Sequence, residues 1–225
     1  MDDESIVGEY VEALLCHATR WQDMEFDLPF EGLRKIAGSM PLLRSLTIGI
    51  DDCDEVPGTP AALFADAPLL NHVVLHRSFN PFIVTLPWSQ ITTLEVETLY
   101  TNEAVEILRH STMLLDCTLT ILAGKPSTDY SIPSLPLRSL RLEYVANCKD
   151  ELRQFFSALH LPVLQTLAVD EFFLGPDPIG ALSAVSAVCR HGYPRQIEIF
   201  SARTTREVYA EAFPLASLSI HLVGA

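Results

Sequence analysis

The sequence predicts an α/β fold in which short parallel strands follow one another as the rungs of a stack, with helices and loops crossing between them. Three observations support this fold class. A proline, a short apolar stretch and a Leu-x-Leu-type segment recur along the 225-residue chain. The copies are evenly spaced, as repeat architectures require. Several segments between the copies begin with residues that start helices.

The first apolar residue of each recurring segment falls at positions 24, 46, 73, 94, 119, 140, 167, 197 and 218. Successive positions are 21 to 30 residues apart, with a mean of about 24. Leucine-rich repeats have about 20–29 residues, and seven of the eight spacings fall in that range. The copies at 24 and 119 are weaker because they lack the leading proline.

Side-chain alternation explains why such segments stack. In the second copy, Leu46 and Ile48 point to one side, while Ser45 and Thr47 point to the other. One strand cannot bury its apolar side alone, whereas parallel neighbours about 4.8 Å apart form a continuous core. We therefore expect residues 1–225 to form a single irregular leucine-rich-repeat-like solenoid with its repeats over 24–225. It would be a curved parallel sheet of about nine short strands, with helices and loops on the convex side.

Helix-start signals occur in five of the crossovers. A capping residue followed by proline marks two of them, and a capping-box pattern that ends at Glu207 marks another. Residues 51–58 and 123–135 lack such signals and are predicted to be loops. The predicted capping residues are Thr59, Asn102, Asp150, Asp177 and Thr204.

The two ends of the stack are expected to differ. Residues 5–19 place apolar side chains at helical spacing and predict an N-terminal capping helix over the edge of the first strand. The last strand begins near Leu218, and no polar cap follows it in this sequence. We therefore expect this end either to expose an open sheet edge or to continue into a longer chain.

The chain is acidic, with 15 Lys and Arg against 29 Asp and Glu and a formal net charge of −14. This charge disfavours nucleic acids and anionic membranes as partners. It either favours a protein partner with a basic patch or only keeps an apolar chain soluble. The scattered cysteines, the acidic start and the lack of a long apolar run predict a monomeric protein of the cytoplasm or nucleus. No cofactor is expected.

No residue spacing typical of an enzyme or a metal site is found. His72 and His76 are four residues apart, but on a strand they would be separated by about 13 Å, too far to share a metal ion. A Cys/His hydrolase in a cleft between crossovers stays open as an alternative, as does a structural fragment without a specific partner. The prediction favoured here is a protein-binding domain that is not an enzyme.

In the predicted fold, the outward side chains of the strands form the concave binding face. This face is polar and mostly acidic. Since aromatic residues and arginine anchor most interfaces, Arg141 and Phe200 are the first positions to test. The candidate docking residues are Glu25, His72, His76, Glu95, Glu97, Arg141, Glu143, Asp170, Glu198 and Phe200.

One segment precedes the first strand with a distinctive pattern, Leu14-Leu-Cys-His-Ala-Thr-Arg-Trp-Gln-Asp-Met-Glu-Phe26. Together with the later Pro-Leu-Leu-x-x-Leu-x-Leu copies, it resembles the repeat portion of fungal F-box/leucine-rich-repeat proteins. That family commonly has His-Ser-x-Arg-Trp before the first strand, and Ala18 replaces the serine here. The resemblance covers nearly the whole chain and implies substrate recognition for ubiquitination.

Two departures from that family bear on function. The F-box of that family is not found in this sequence: residues 28–36 resemble its opening, but an F-box continues as a helical bundle, whereas this sequence returns to a strand at Leu46. The asparagine that ordinary leucine-rich repeats carry after each strand is also missing. We therefore expect an irregular stack that supplies only the recognition half of a ubiquitin-ligase receptor.

Overall fold

The protein is described by a computed structural model that covers residues 10–49, 64–76, 85–122, 130–145, 149–189 and 192–222. It has an α/β architecture with an open, nine-stranded parallel sheet in which the strand order follows the chain order. Each of the nine predicted positions lies within a strand. The strands are β1 (Asp23–Asp27), β2 (Ser45–Gly49), β3 (His72–His76), β4 (Thr93–Tyr100), β5 (Asp116–Leu122), β6 (Ser139–Tyr144), β7 (Thr166–Asp170), β8 (Gln196–Ala202) and β9 (Ser217–Leu222).

The chain forms two compact units, with the boundary between Glu97 and Thr98. In the first unit, β1 pairs with β2, β2 with β3 and β3 with β4, always in parallel. Leu46 lies beside Val73, and Val73 lies beside Leu94. The predicted repeat positions are therefore also the positions that set the strand register in this unit.

In the second unit, β5 to β9 pair in succession, again in parallel. Leu140 lies beside Cys117 and not beside Leu119, so the predicted phase of the fifth copy is wrong by two residues. The error arose because a small cysteine occupies the place that a larger apolar residue holds in other rungs. A shift of two residues leaves the inward and outward faces unchanged, since side chains alternate with a period of two.

A rung is a strand with the turn before it, and the rungs of β2 to β8 each bury three apolar positions. Two are the alternating strand residues, and the third lies three residues before the first of these. In the rung of β2 they are Leu43, Leu46 and Ile48, all fully buried. The rung of β9 departs from this pattern, since Leu215 is 80% exposed. The third position of the other rungs holds Trp21, Leu70, Ile91, Leu114, Leu137, Leu164 and Pro194, all buried.

A backbone hydrogen-bond pattern repeats where the chain enters the strands. The carbonyl of Arg44 accepts from the N–H groups of Asn71 and His72 in the next rung, each at 3.1 Å. In the second unit, the carbonyl of Arg138 accepts two N–H groups of the following rung in the same way. Backbone groups removed from water need such partners, so the pattern holds neighbouring rungs in register whatever their side chains.

Helices lie in several of the described crossovers. Residues 10–15 are also helical. Asp177 is the N-cap of the helix Pro178–Val188, as predicted, and its carboxylate accepts from the N–H of Gly180 at 2.9 Å. The crossover helices are α1 (Phe30–Leu33), α2 (Thr101–His110), α3 (Lys149–Ser157), α4 (Pro178–Val188) and α5 (Arg206–Ala212).

Three predicted helix starts are displaced. Asn102 lies inside α2, because β4 runs directly into the helix and leaves the extended Tyr100 at the N-cap. The Glu103 carboxylate then accepts from the N–H of Tyr100 at 2.9 Å. Asp150 likewise lies inside α3, and α5 has Thr205 at its N-cap, one residue later than predicted.

The N-terminal prediction is partly matched. The helical residues 10–15 are followed by a 3-10 turn at Ala18–Arg20, so the helix ends earlier than predicted, and residues 5–9 lie outside the described part of the chain. Residues 28–44 contain the single turn α1 and otherwise irregular structure, which differs from the helical bundle of an F-box.

Some predictions cannot be compared with the structure. The helix start at Thr59 and the loop 51–58 lie outside the described residues. Of the predicted loop 123–135, residues 130–135 are irregular. Among the residues covered by the structure, no helix has the length and apolar character needed to cross a bilayer.

The burial of the rungs leads to a first prediction. Leu167→Ala removes a fully buried side chain and should lower the free energy of unfolding by about 2–5 kcal/mol. Leu215→Ala changes the same residue type at an 80% exposed position and should alter it by no more than about 0.5 kcal/mol. Urea unfolding followed by circular dichroism gives both values. Equal losses in the two variants would contradict the rung arrangement.

Candidate functional site: the outward strand face

The side chains opposite the buried positions form the outward strand face of each unit. In β1 the exposed or half-buried residues alternate with the buried Phe26, and the same alternation occurs in β3 and β5. These outward side chains therefore stay at least partly accessible, although they lie on a sheet whose other side is packed.

The outward face of the first unit is acidic. Among the outward positions of β1 to β4 in this unit there is no lysine or arginine, and two histidines are the only side chains that could become cationic. Glu25 and Glu95 are exposed, and Glu97 is half-buried. The acidic side chains of this face are Asp23, Glu25, Asp27, Glu95 and Glu97.

A cavity of about 270 Å³ opens on this acidic face. Gly49 supplies the space for it, since a methyl group at this position would lie 2.9 Å from the Asp27 carboxylate. Alternation along the strands predicts that Asp27 and Gly49 face outward, but neither was among the predicted docking residues, because neither belongs to a recognisable motif. The cavity is lined by Glu25, Phe26, Asp27, Thr47, Gly49, His76 and Glu97.

The two histidines of this face have separate partners. His76 Nδ1 lies 3.0 Å from a carboxylate oxygen of Glu97 on the neighbouring strand. His72 Nδ1 lies 3.4 Å from the hydroxyl of Ser45 on the opposite neighbour. Within the described residues, no group of three or more His, Cys, Asp or Glu side chains is arranged to hold a metal ion.

The outward face of the second unit carries a cluster of charged and aromatic groups. Arg141 Nε donates to Glu143 at 2.6 Å, and its Nη1 lies 3.6 Å from a carboxylate oxygen of Glu198. The guanidinium also lies over the Phe200 ring, 4.5 Å from the ring centre. Four of the predicted docking residues therefore contact one another, and Arg141 is held by three neighbours.

His221 belongs to the same cluster. Its ring stacks on Phe200, with 5.2 Å between ring centres, and its Nε2 lies 2.9 Å from a Glu198 carboxylate oxygen. Phe200 thus lies between a guanidinium and an imidazole. The predicted docking set lacked His221, because its contacts are with Phe200 and Glu198 on the neighbouring strand β8 and no local sequence pattern reveals them.

Asp170 does not belong to the accessible face, contrary to our prediction. It is 6% exposed. One carboxylate oxygen accepts from the N–H of Phe172 at 3.0 Å, and the other accepts from the hydroxyl of Ser201 at 2.6 Å. Both carboxylate oxygens therefore accept hydrogen bonds from the protein itself at the end of β7, and Asp170 does not belong to the docking set.

Glu171, which sequence reasoning missed, organises the chain beyond β8. Its buried carboxylate accepts from the N–H groups of Arg203 and Thr204 and from the Tyr209 hydroxyl, the last at 2.7 Å. Burial raises the pKa of the Glu171 carboxyl, but these hydrogen bonds together outweigh burial and hold the pKa below its ordinary value. No local pattern reveals this site, because the partners lie 32 to 38 residues later.

The two buried cysteines of the described chain do not have the environment of a catalytic nucleophile. Cys117 and Cys189 are buried, and burial raises the pKa of both thiols. Reactive cysteines need a lowered pKa and access to solvent. Cys16 is exposed, and its thiol donates to the backbone carbonyl of Glu12 in the preceding helical turn. Cys53 and Cys148 lie outside the described residues.

Comparison of this chain with protein-family models, curated proteins and solved structures found no match.

The cluster around Arg141 can be tested by a double-mutant cycle. Arg141→Met and Phe200→Leu should show a favourable coupling in unfolding free energy of about 0.5–1 kcal/mol, as expected for a partly exposed cation–π pair. Arg138→Met is the matched control, because Arg138 lies three residues earlier, about 10 Å along the chain. Its coupling with Phe200→Leu should be close to zero. The same coupling for both arginines would mean that the stacking contributes nothing.

The lowered pKa of Glu171 predicts a pH dependence. A carboxyl group whose pKa is lower in the folded state than its ordinary 4.5 contributes stability above that value. The contribution is lost as the pH falls through the folded-state pKa. Glu171→Gln should therefore reduce the unfolding midpoint at pH 7, and its deficit relative to the native chain should shrink below about pH 4.5. Glu211→Gln, at an exposed position, should show no such change; a constant deficit for Glu171→Gln would contradict the assignment.

Proposed function

We propose that this chain is a leucine-rich-repeat-like solenoid that binds a protein partner through its outward strand face. The observation that carries the proposal is the acidic face of the first unit. Its described outward strand positions carry five carboxylates and no lysine or arginine, and they lie beside a cavity of about 270 Å³. Such a surface suits a segment rich in lysine and arginine, since charge complementarity directs encounter and suppresses wrong partners.

The solenoid itself is supported by the way the sheet is covered. Ordinary parallel sheets have helices on both faces, and their strands are apolar on both sides. Here the strands alternate between buried and accessible residues, as in β3, where Val73 and Leu75 are buried and His72 and His76 are not. Parallel pairing, one accessible face and spacings of 21 to 30 residues are together typical of leucine-rich repeats.

The cellular role we propose is substrate recognition in an F-box-type ubiquitin-ligase receptor in the cytoplasm or nucleus. The support for this role is the resemblance of residues 14–26 and of the repeated segments to that family. The strand face would hold the substrate, and an F-box would provide the link to the ligase.

The experiment uses a fluorescent peptide rich in arginine and lysine, with an otherwise identical glutamate-rich peptide as the negative probe. The triple variant Asp23→Lys, Glu25→Lys, Glu95→Lys changes three exposed carboxylates of the face and should weaken binding of the basic peptide. Three exposed ion pairs of about 0.5 kcal/mol each amount to about tenfold in Kd. Fluorescence anisotropy at two salt concentrations measures the effect, and the affinity of the native chain should fall as salt rises.

The matched control changes the same number of charges away from the strand face. Glu12→Lys, Glu31→Lys and Asp66→Lys alter exposed acidic residues of the same unit that are not on its strands. This control should bind the basic peptide within about twofold of the native chain, since it keeps the facing charges. Equal weakening in both triple variants would show that binding depends only on the net charge of the chain, and it would contradict the proposed docking face.

The ligase role has its own readout in the same system. Fusing an F-box to the chain should allow ubiquitin transfer to a protein that carries the basic peptide, and the face variant should prevent it. If the peptide binds but no ubiquitin is transferred, the receptor role is rejected while the binding face stands.

A further inference from the structure

A second cavity lies at the carboxyl ends of β7 and β8, within the second unit. Its volume is about 310 Å³, which is within the lower range of small-ligand pockets. None of the predicted docking residues lines it. Apart from Glu171, the residues around it are Arg153, Phe172, Gly175, Pro176, Ser201 and Arg203.

Two arginines border this cavity in a chain that is strongly acidic elsewhere. The Arg203 guanidinium lies over the Phe172 ring, 4.9 Å from its centre. The stem of Arg153 packs against Gly175, where a methyl group would lie 2.8 Å from Arg153 Cδ. Gly175 also has φ +74°, a conformation that favours glycine. The guanidinium of Arg203 and the stem of Arg153 are thus each positioned by a defined contact.

The nearby carboxylates are directed into the protein. Glu171 and Asp170 are buried, and each accepts hydrogen bonds from the chain's own donors, three for Glu171 and two for Asp170. Arg153 and Arg203 are exposed residues at the border of the cavity. A ligand in the cavity would therefore meet arginine side chains, and the carboxylate oxygens of Glu171 and Asp170 would not oppose it directly.

The backbone at this end of β8 is irregular. Pairing with β9 shifts between Ile199 and Ala202, where three residues of β8 advance against two of β9. Ser201, within this bulge, has φ +50°, which is uncommon for a residue other than glycine. Its hydroxyl donates to Asp170 at 2.6 Å. Bulges re-aim side chains at sheet ends, and this one precedes Arg203 directly.

We propose that this cavity binds an oxyanion carried on a short apolar stem, with an aryl phosphate as its best-fitting class. The two guanidinium groups would hold the oxyanion, since arginine binds phosphates and carboxylates in a bidentate manner. The Phe172 ring and Pro176 would contact the stem. In a protein partner, a phosphorylated tyrosine side chain has this chemistry. The inference concerns a surface separate from the acidic face of the first unit and does not rest on its function.

The probe is phenyl phosphate, measured by isothermal titration calorimetry with inorganic phosphate and phenol as partial probes. Phenyl phosphate should bind saturably, and each partial probe should bind at least about tenfold more weakly, because each lacks one of the two contacts. If inorganic phosphate binds as tightly as phenyl phosphate, the stem contact is rejected and the site is one for the free ion. If phenyl phosphate does not bind, the proposal is rejected.

Variants locate the site. Arg153→Gln and Arg203→Gln should each weaken phenyl phosphate binding by about tenfold or more, since hydrogen bonds to a charged group are lost. Arg203→Lys keeps the charge and should still weaken binding, because the fork geometry is lost. Gly175→Ala should also weaken it by displacing Arg153. Arg206→Gln is the control at an exposed arginine outside the cavity and should change binding by no more than about twofold.

Two results with these variants would contradict the assignment of the binding site to this cavity. Equal weakening in Arg206→Gln and Arg203→Gln would show general charge attraction and overturn the pocket assignment. Unchanged binding in both Arg153→Gln and Arg203→Gln would do the same. If Arg203→Gln fails to fold, as judged by circular dichroism, Arg203→Lys and Arg153→Gln decide the question, since either variant alone removes one bidentate contact.

Discussion

Every other feature of this protein depends on the burial of one side of each strand by its neighbours. A rung such as Leu43 to Ile48 has only three apolar side chains to bury, and no strand in isolation can exclude water from them. Parallel pairing in register brings equivalent positions side by side, so that the columns of leucine and related residues become continuous. The backbone bonds from each strand entrance to the previous rung then hold the spacing without demanding particular side chains.

This constraint also determines where function can reside. Because the inward positions must be apolar, variation without loss of stability is confined to the outward positions and to the crossovers. The outward positions of the first unit carry carboxylates, whereas those of the second carry a cluster in which Arg141 is already paired. The described outward strand positions of the first face are therefore mainly acidic. The second has a preformed arrangement around Phe200 whose charges are largely matched internally.

The sequence was sufficient for the features that follow from local periodicity. All nine strand positions could be predicted from alternation and spacing, and the one error in phase occurred where Cys117 replaces a larger apolar residue. Features that join distant segments could not be predicted. Glu171 bonds to residues 32 to 38 positions later, and Asp170 is buried for the same reason. The alternation of inward and outward positions along a strand cannot distinguish an accessible carboxylate from one that is buried by hydrogen bonds to the chain itself.

The arginine-lined cavity shows why net charge is a weak guide to local chemistry. A formal charge of −14 disfavours an extended polyanion, since such a ligand interacts with much of the surface. At about 0.15 M ionic strength, however, exposed charges more than about 8 Å apart are largely screened from one another. A small oxyanion is therefore governed by the groups that touch it. Glu171 directs its carboxylate toward backbone N–H groups and Tyr209. The residue that orders the chain beyond β8 therefore keeps its negative charge away from the ligand, and in our proposal Arg153 and Arg203 determine which ligand the cavity takes.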